Sequence, residues 1–130
     1  MPQILFVCIE NSCRSQMAEA LARIHASPDV EIYSAGSKPS GKVNERAIQF
    51  MQEIGYDLST HESISLNAIP DITYDAVITM GCGDECPYVK AKKREDWGII
   101  DPKHLSDDEF RETRELIADK VKQLLQELSA

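Results

Sequence analysis

The chain has 130 residues, of which 42% are hydrophobic, and a formal net charge of −8. This length is sufficient for one domain with a real core and too short for two ordinary domains, so we predict a single domain over residues 1–130. The negative charge disfavours nucleic acids and acidic membrane surfaces as partners. We therefore expect no nucleic-acid partner and no membrane partner.

The sequence carries no recognisable export or membrane signal. A basic stretch followed by an apolar run and a small-residue cleavage site is missing, and no apolar segment approaches spanning length. We predict a soluble, cytoplasmic protein. In such a reducing compartment cysteines are more often reactive or metal-binding than structural, which is our expectation for all four, Cys8, Cys13, Cys82 and Cys86.

Short apolar runs alternate with helical patterns, which is typical of a parallel sheet covered by helices on both faces. The elements predicted in the first half are a strand over Gln3 to Val7, a helix over Ser15 to His25, a strand over Glu31 to Ser34 and a helix over Asn44 to Ile54. The second helix is expected to end at Gly55 and to face the core with Ala47, Ile48, Met51 and Ile54.

The second half begins with a predicted strand over Tyr74 to Met80. From Gly81 to Gly98 no periodicity is clear, and we expect an irregular segment that is functional or mobile. Its basic cluster is interpreted as a solvated surface run without a role; it consists of Lys90, Lys92, Lys93 and Arg94. A short apolar piece, Trp97 to Ile100, follows.

The final predicted element is a helix over Asp107 to Leu128. Apolar residues recur along it at helical spacing and are expected to pack into the core; they are Phe110, Ile117, Val121, Leu124 and Leu128.

The segment from Cys8 to Ser15 joins the first predicted strand to the first predicted helix. A strand that turns into a helix in this way directs backbone N–H groups and a helix N-terminus at one point, which is how loops bind tetrahedral oxyanions. The same donors stabilise a thiolate more than a thiol, so Cys8 is predicted to be a nucleophile near neutral pH. Arg14 adds a planar fork of donors. The alternative is a cysteine that only fills the core.

We expect the oxyanion to be bound by the loop that follows Cys8. Its candidate binding residues are Ile9, Glu10, Asn11, Ser12, Cys13 and Arg14. An attack by Cys8 also needs an acid that protonates the leaving oxygen, and Asp101 is the candidate. Pro102 restricts the backbone of Asp101 to extended conformations, although an Asp-Pro pair alone is mostly a turn signal.

Cys82 and Cys86 are separated by three residues. They could form a disulfide or offer two thiolates to a metal such as zinc. The histidines make no zinc pattern with them, so a redox pair is the better interpretation, and we predict no metal site; the histidines are His25, His61 and His104.

The stretch Cys8 to Ala20 reads C-I-E-N-S-C-R-S-Q-M-A-E-A. It resembles the signature of the low-molecular-weight tyrosine phosphatase superfamily, in the form found in its thiol-dependent arsenate reductase branch. The resemblance covers essentially the whole chain and includes Tyr33 to Gly36, Val77 to Met80, Cys82, Cys86 with Pro87, and Asp96 to Gly98 before Asp101-Pro102. The phosphatases typically have tyrosines just after Asp-Pro, whereas this chain has Lys103 and His104.

The resemblance implies an α/β fold, namely a single-domain three-layer sandwich with a four-stranded parallel sheet flanked by helices, phosphatase-I-like. It also implies a cascade. Cys8 attacks arsenate, Arg14 and the loop amides bind it, Asp101 protonates the departing oxygen, and Ser15 helps to stabilise the thiolate. Cys82 then attacks Cys8, and Cys86 attacks Cys82. The resulting disulfide is reduced by thioredoxin, a similar protein or a low-molecular-weight thiol, and no tightly bound cofactor is implied.

Two other functions remain open. One is a phosphatase that hydrolyses phosphate monoesters through a cysteinyl-phosphate on Cys8, and the other is a non-catalytic oxyanion or redox sensor. Cys13 has no step in the cascade. It could form a protective disulfide with Cys8, or it could be only a small loop residue.

Overall fold

The computed structural model describes residues 2–81 and 89–129. Its sheet has four parallel strands in the order β2-β1-β3-β4, which are β1 (Gln3–Cys8), β2 (Glu31–Gly36), β3 (Tyr74–Thr79) and β4 (Ala91–Asp96). The described residues also form the α-helices α1 (Arg14–His25), α2 (Glu45–Gln52) and α3 (Asp107–Ser129). The predicted class, a four-stranded parallel sheet flanked by helices, is confirmed.

The main core lies between the sheet and the three helices. Because side chains alternate along a strand, Ile4, Phe6 and Cys8 of β1 point to this core. Leu5 and Val7 point to the opposite face. The residues packed on that face include the segment around a short 3-10 helix (Leu66–Ala68).

Helix α2 is shorter than the sequence predicts. The side chain of Asn44 caps its N-terminus, and Gly55 takes a positive φ of 86° in the turn after its C-terminus. Ile54 therefore lies in that turn and is 41% exposed, so its predicted place in the core is wrong. The core position belongs to Phe50, which is fully buried and stacked on Phe110 with ring centroids 4.6 Å apart.

The segment from Gly81 to Gly98 is not irregular throughout, because β4 lies within it. This strand pairs in parallel with β3 at the edge of the sheet. Its side chains are alternately half-buried and exposed, so it has no apolar run that sequence reasoning could have found. Charged residues such as Lys92 are common on edge strands, where they oppose pairing with another chain.

The apolar stripe of α3 is confirmed as core. Phe110, Ile117, Val121 and Leu124 are buried, and Leu128 is partly buried against the same cluster. Across residues 2–81 and 89–129, no helix has both the length and the apolar character that crossing a membrane requires.

Candidate active site

A small cavity lies at the carboxyl end of β1, where the chain turns into α1. Its volume is about 110 Å³. The lining residues come from the loop after β1 and from a distant turn, and they are Cys8, Ile9, Glu10, Ser12, Cys13, Arg14, Asp101 and Lys103. The structure thus brings the predicted nucleophile, the predicted anion-binding arginine and the predicted acid to one cavity.

Cys8 is only 3% exposed, and its sulfur lies 2.9 Å from the hydroxyl oxygen of Ser15. That oxygen also accepts a hydrogen bond from the side-chain amide of Asn11 at 2.8 Å. Because the Ser15 oxygen accepts from Asn11, its own hydrogen is available to the sulfur. This arrangement suits a thiolate, which accepts hydrogen bonds better than a thiol does.

The loop behind Cys8 bends at Asn11, which has a positive φ of 48°. Asparagine tolerates this left-handed conformation better than most residues. Gln16 donates to the backbone and side-chain oxygens of Asn11 at 3.1 and 3.0 Å, and the Ile64 amide donates to the latter at 2.9 Å. A Cβ at Gly36 would lie 2.5 Å from the Ile9 carbonyl oxygen, so only glycine permits this approach of β2. The hydrogen bonds of Asn11 thus fix the conformation of the loop that follows Cys8.

Gln16 also connects the loop to His61. Its side-chain carbonyl oxygen lies 2.9 Å from Nδ1 of His61, and the Tyr56 hydroxyl lies 2.6 Å from Nε2. Since a carbonyl oxygen only accepts, Nδ1 carries the hydrogen and Nε2 accepts from Tyr56. His61 is therefore satisfied as a neutral ring. Sequence reasoning considered this histidine only as a zinc ligand, because its contact with Gln16 is formed by the tertiary fold.

We expect His61 to make the fold less stable in acid. Its burial lowers the pKa below 6.5, while the charge of Glu19 acts to raise the pKa and that of Arg23 to lower it. As pH falls through 6.5 the unfolded chain takes up a proton that the folded protein resists. The stability that neutral His61 contributes is complete above 6.5 and is lost as pH falls through the folded-state pKa. In urea unfolding, His61→Gln is expected to lose less stability than the parent protein between neutral pH and mild acid.

The control for this measurement is His104→Gln, because His104 is exposed. Its pH dependence should match that of the parent protein. An unchanged acid slope in His61→Gln would contradict the assignment of a neutral, buried ring.

Arg14 has a structural task that the sequence does not reveal. Its Nη1 donates to the backbone carbonyl oxygens of Met80 and Ile99, both at 2.7 Å. Met80 follows β3 and Ile99 precedes Asp101. The guanidinium therefore connects the carboxyl end of β3 to the segment that carries the predicted acid. Arginine has further N–H donors, and these are the groups available to an anion in the cavity.

The turn after Ile100 positions Asp101. Its carboxylate accepts a hydrogen bond from the Lys103 amide at 3.1 Å and so caps a short 3-10 helix (Pro102–His104). From α2, Arg46 donates to the carbonyl oxygens of Lys103 and Leu105 at 2.8 and 2.7 Å. The turn is therefore fixed by its own cap and by α2, and no local sequence pattern indicates the contribution of Arg46.

Cys13 is a poor candidate for a second nucleophile. It is 2% exposed, and burial raises the pKa of its thiol to about 12, with the charges of Asp101 and Cys8 acting in the same direction. A protonated thiol reacts slowly, because the thiolate is the nucleophile. Cys8 and Cys13 are both free thiols.

The predicted cysteine pair, Cys82 and Cys86, lies outside the described residues. In the described part of the chain, no three or more histidine, cysteine, aspartate or glutamate side chains form a group that could hold a metal ion. The absence of a metal site stays a prediction.

The chain belongs to the low molecular weight phosphotyrosine protein phosphatase family, whose pattern it matches over residues 3–130. A relative described as a glutaredoxin arsenate reductase, from Synechocystis sp., is 36% identical, with 99% of this chain and 100% of that protein covered. A solved structure described as an arsenate reductase in the phosphate binding state is 35% identical, with 98% of each chain covered and a TM-score of 0.88. A thioredoxin-dependent arsenate reductase from Corynebacterium glutamicum is 33% identical, with a TM-score of 0.79, and covers 100% of this chain and 64% of its own.

Proposed function

We propose that this chain reduces arsenate to arsenite with electrons from an external thiol reductant. The observation that carries the proposal is the cavity in which Cys8, Arg14 and Asp101 meet, because it combines a nucleophile, an anion-binding group and an acid. Its volume of about 110 Å³ suits one small oxyanion. Arsenate reductases that resemble the chain over nearly its whole length support the choice of substrate.

In the first step the Cys8 sulfur attacks arsenic and forms a sulfur–arsenic bond. One oxygen of the arsenate leaves as water, with a proton supplied by Asp101. Arg14 and the loop amides of residues 9–13 stabilise the charge on the remaining oxygens. The hydroxyl of Ser15, 2.9 Å from the sulfur, favours the thiolate that starts the reaction.

In the second step Cys82 attacks the Cys8 sulfur. A disulfide forms, the electron pair of the sulfur–arsenic bond stays on arsenic, and arsenite leaves. Cys86 then attacks Cys82, which releases Cys8 as a thiolate and leaves a Cys82–Cys86 disulfide. The roles of these two cysteines rest on the sequence and on the resemblance to the reductases.

The Cys82–Cys86 disulfide must be reduced from outside before another turnover. Relatives described as glutaredoxin and thioredoxin-dependent enzymes support a thiol reductant of one of these two kinds. Both need a reducing compartment, so we place the reaction in the cytoplasm.

The proposal is tested by incubating reduced protein with arsenate and supplying thioredoxin, glutaredoxin with glutathione, or small thiols in separate mixtures. We expect arsenite in at least one mixture, and mass spectrometry should find a Cys8–Cys82 disulfide accumulating in Cys86→Ser after a single turnover. If no mixture yields arsenite, the proposed function is wrong. If arsenite forms but Cys86→Ser traps no Cys8–Cys82 link, the cascade is wrong.

A second candidate, favoured by the family and by the anion cavity, is hydrolysis of phosphate monoesters through a cysteinyl-phosphate on Cys8. This reaction uses the same nucleophile and acid but needs neither cysteine of the pair. An aryl phosphate should then be turned over equally well by the parent protein, Cys82→Ser and Cys86→Ser. If Cys82→Ser and Cys86→Ser each abolish arsenite formation, the protein acts as a reductase rather than only as a phosphatase.

A further inference from the structure

Lys103 lines the cavity beside Asp101, and sequence reasoning gave it no role. Its ammonium nitrogen forms an ion pair with the carboxylate of Glu10 and lies 3.8 Å from Oδ2 of Asp101. The Lys103 side chain is 22% exposed, compared with 49% for Glu10 and 41% for Asp101. It is therefore the least exposed member of a charged cluster at the rim of the cavity.

The cluster keeps Lys103 charged. Partial burial acts to lower the pKa of Lys103, but the hydrogen bond with Glu10 and the charges of Asp101 and Glu10 together outweigh burial and raise the pKa. The turn that carries Lys103 is fixed through its own carbonyl oxygen, which accepts from Arg46 at 2.8 Å. A positive charge is thus held beside the predicted acid by the backbone as well as by Glu10.

The position of Asp101 indicates which part of a bound substrate the Lys103 ammonium would contact. An acid that protonates the leaving oxygen must contact the oxygen pointing away from Cys8. The Lys103 ammonium lies 3.8 Å from the carboxylate of that acid, so an oxygen that contacts Asp101 would also lie close to the ammonium. In an inorganic oxyanion this oxygen has no substituent and can accept a charged hydrogen bond. In an aryl ester it carries a ring, which would have to displace an ion-paired ammonium.

We propose that Lys103 is a specificity-determining residue that selects a small inorganic oxyanion over an aryl ester by donating to its outward oxygen. Glu10 forms an ion pair with the same ammonium and therefore competes with the anion for it. The inference deepens the proposed function, on which its choice of substrate rests.

The experiment compares the binding of inorganic phosphate with the turnover of an aryl phosphate. Phosphate binding to the reduced protein is measured by titration calorimetry, and p-nitrophenyl phosphate supplies the ester. We expect Lys103→Met to raise the Kd of phosphate and the KM of arsenate by about 10- to 100-fold, the effect of one charge-assisted hydrogen bond. For p-nitrophenyl phosphate, kcat/KM should be unchanged or higher.

Two further variants test the geometry. Lys103→Arg keeps the charge and should retain most of the phosphate affinity. Glu10→Gln removes the competing carboxylate and should tighten phosphate binding. The control is Lys42→Met, which makes the same change of charge outside the cavity. The side chain of Lys42 is 75% exposed and pairs with Glu45. This variant should leave phosphate binding and p-nitrophenyl phosphate turnover unaltered.

The inference is overturned if Lys103→Met binds phosphate as tightly as Lys42→Met does, or if phosphate binding and ester turnover fall together. Circular dichroism of each variant shows whether it is folded, and Lys103→Arg still decides the question if Lys103→Met is not. Arsenite formation by the parent protein tests the proposed function separately, because the calorimetric comparison requires no reduction of arsenate.

Discussion

Replacing Cys8 with serine is expected to abolish arsenite formation, with a loss of at least about 10⁴-fold in kcat. A serine hydroxyl is far less nucleophilic than a thiolate and cannot take part in the later disulfide exchange. The hydroxyl of Ser15, 2.9 Å from the Cys8 sulfur, can serve as the hydrogen-bond partner of a serine at position 8, so the isosteric substitution should change the thermal midpoint little. The measurement is arsenite production together with p-nitrophenyl phosphate turnover, and both should disappear.

Cys13→Ser is the matched control, because it makes the same chemical change at another buried cysteine lining the same cavity. The Cys13 thiol, with its pKa raised to about 12, contributes almost no thiolate at neutral pH. The activity of Cys13→Ser should therefore stay close to that of the parent protein. Multiple turnovers by Cys8→Ser would show that Cys8 is not the nucleophile. A loss of turnover in Cys13→Ser alone would show the same. If the parent protein and both variants all fail to turn over arsenate and p-nitrophenyl phosphate, the result would favour a non-catalytic sensor.

The fold could be read from the sequence where a single element carries its own pattern. β1 is an apolar run and α3 has a stripe at helical spacing, and both were predicted within one residue of the bounds observed. β4 has no such pattern, since five of its six residues are charged and it is held by backbone pairing with β3. Its existence depends on pairing with β3, which the local sequence of β4 does not encode.

The candidate site shows the same division. Cys8 and Arg14 were found because the residue types and the strand-to-helix junction together indicate an anion-binding loop. The contacts that support them join residues far apart along the chain, as between His61 and Gln16, or Arg46 and the turn after Asp101. Lys103 was noted only as a departure from the phosphatase pattern, since its proximity to Glu10 comes from the fold.

The net charge of −8 does not prevent this protein from binding an anion. Salt at about 0.1 M largely screens the repulsion from exposed carboxylates that lie farther away than about 10 Å, whereas contacts in the cavity are screened much less. Arg14 and Lys103 both line the cavity, together with the amides of the loop. We expect affinity to depend on these local donors more than on the overall charge.

Arg14→Lys is expected to lower kcat/KM for arsenate by about 10² to 10³, although it preserves the charge. A lysine ammonium lacks the planar array of donors with which a guanidinium can bind an anion and backbone carbonyl oxygens at the same time. In the structure Nη1 already donates to Met80 and Ile99, so a lysine that kept these bonds would have little left for the substrate. The substitution should also reduce the free energy of unfolding by about 1 to 3 kcal/mol, because the shorter lysine side chain reaches the two carbonyl oxygens less well than Nη1 does.

The control for Arg14→Lys is Arg23→Lys, the same change on the same helix. Arg23 pairs with Glu19 and donates to Ile32, and its side chain is 47% exposed and outside the cavity. Arg23→Lys should leave kcat/KM for arsenate close to the parent value. Calorimetry with phosphate separates the two tasks of Arg14. Weaker binding at temperatures where the variant is fully folded identifies lost anion contacts, whereas unchanged phosphate affinity and arsenate kinetics would show that Arg14 serves only the frame.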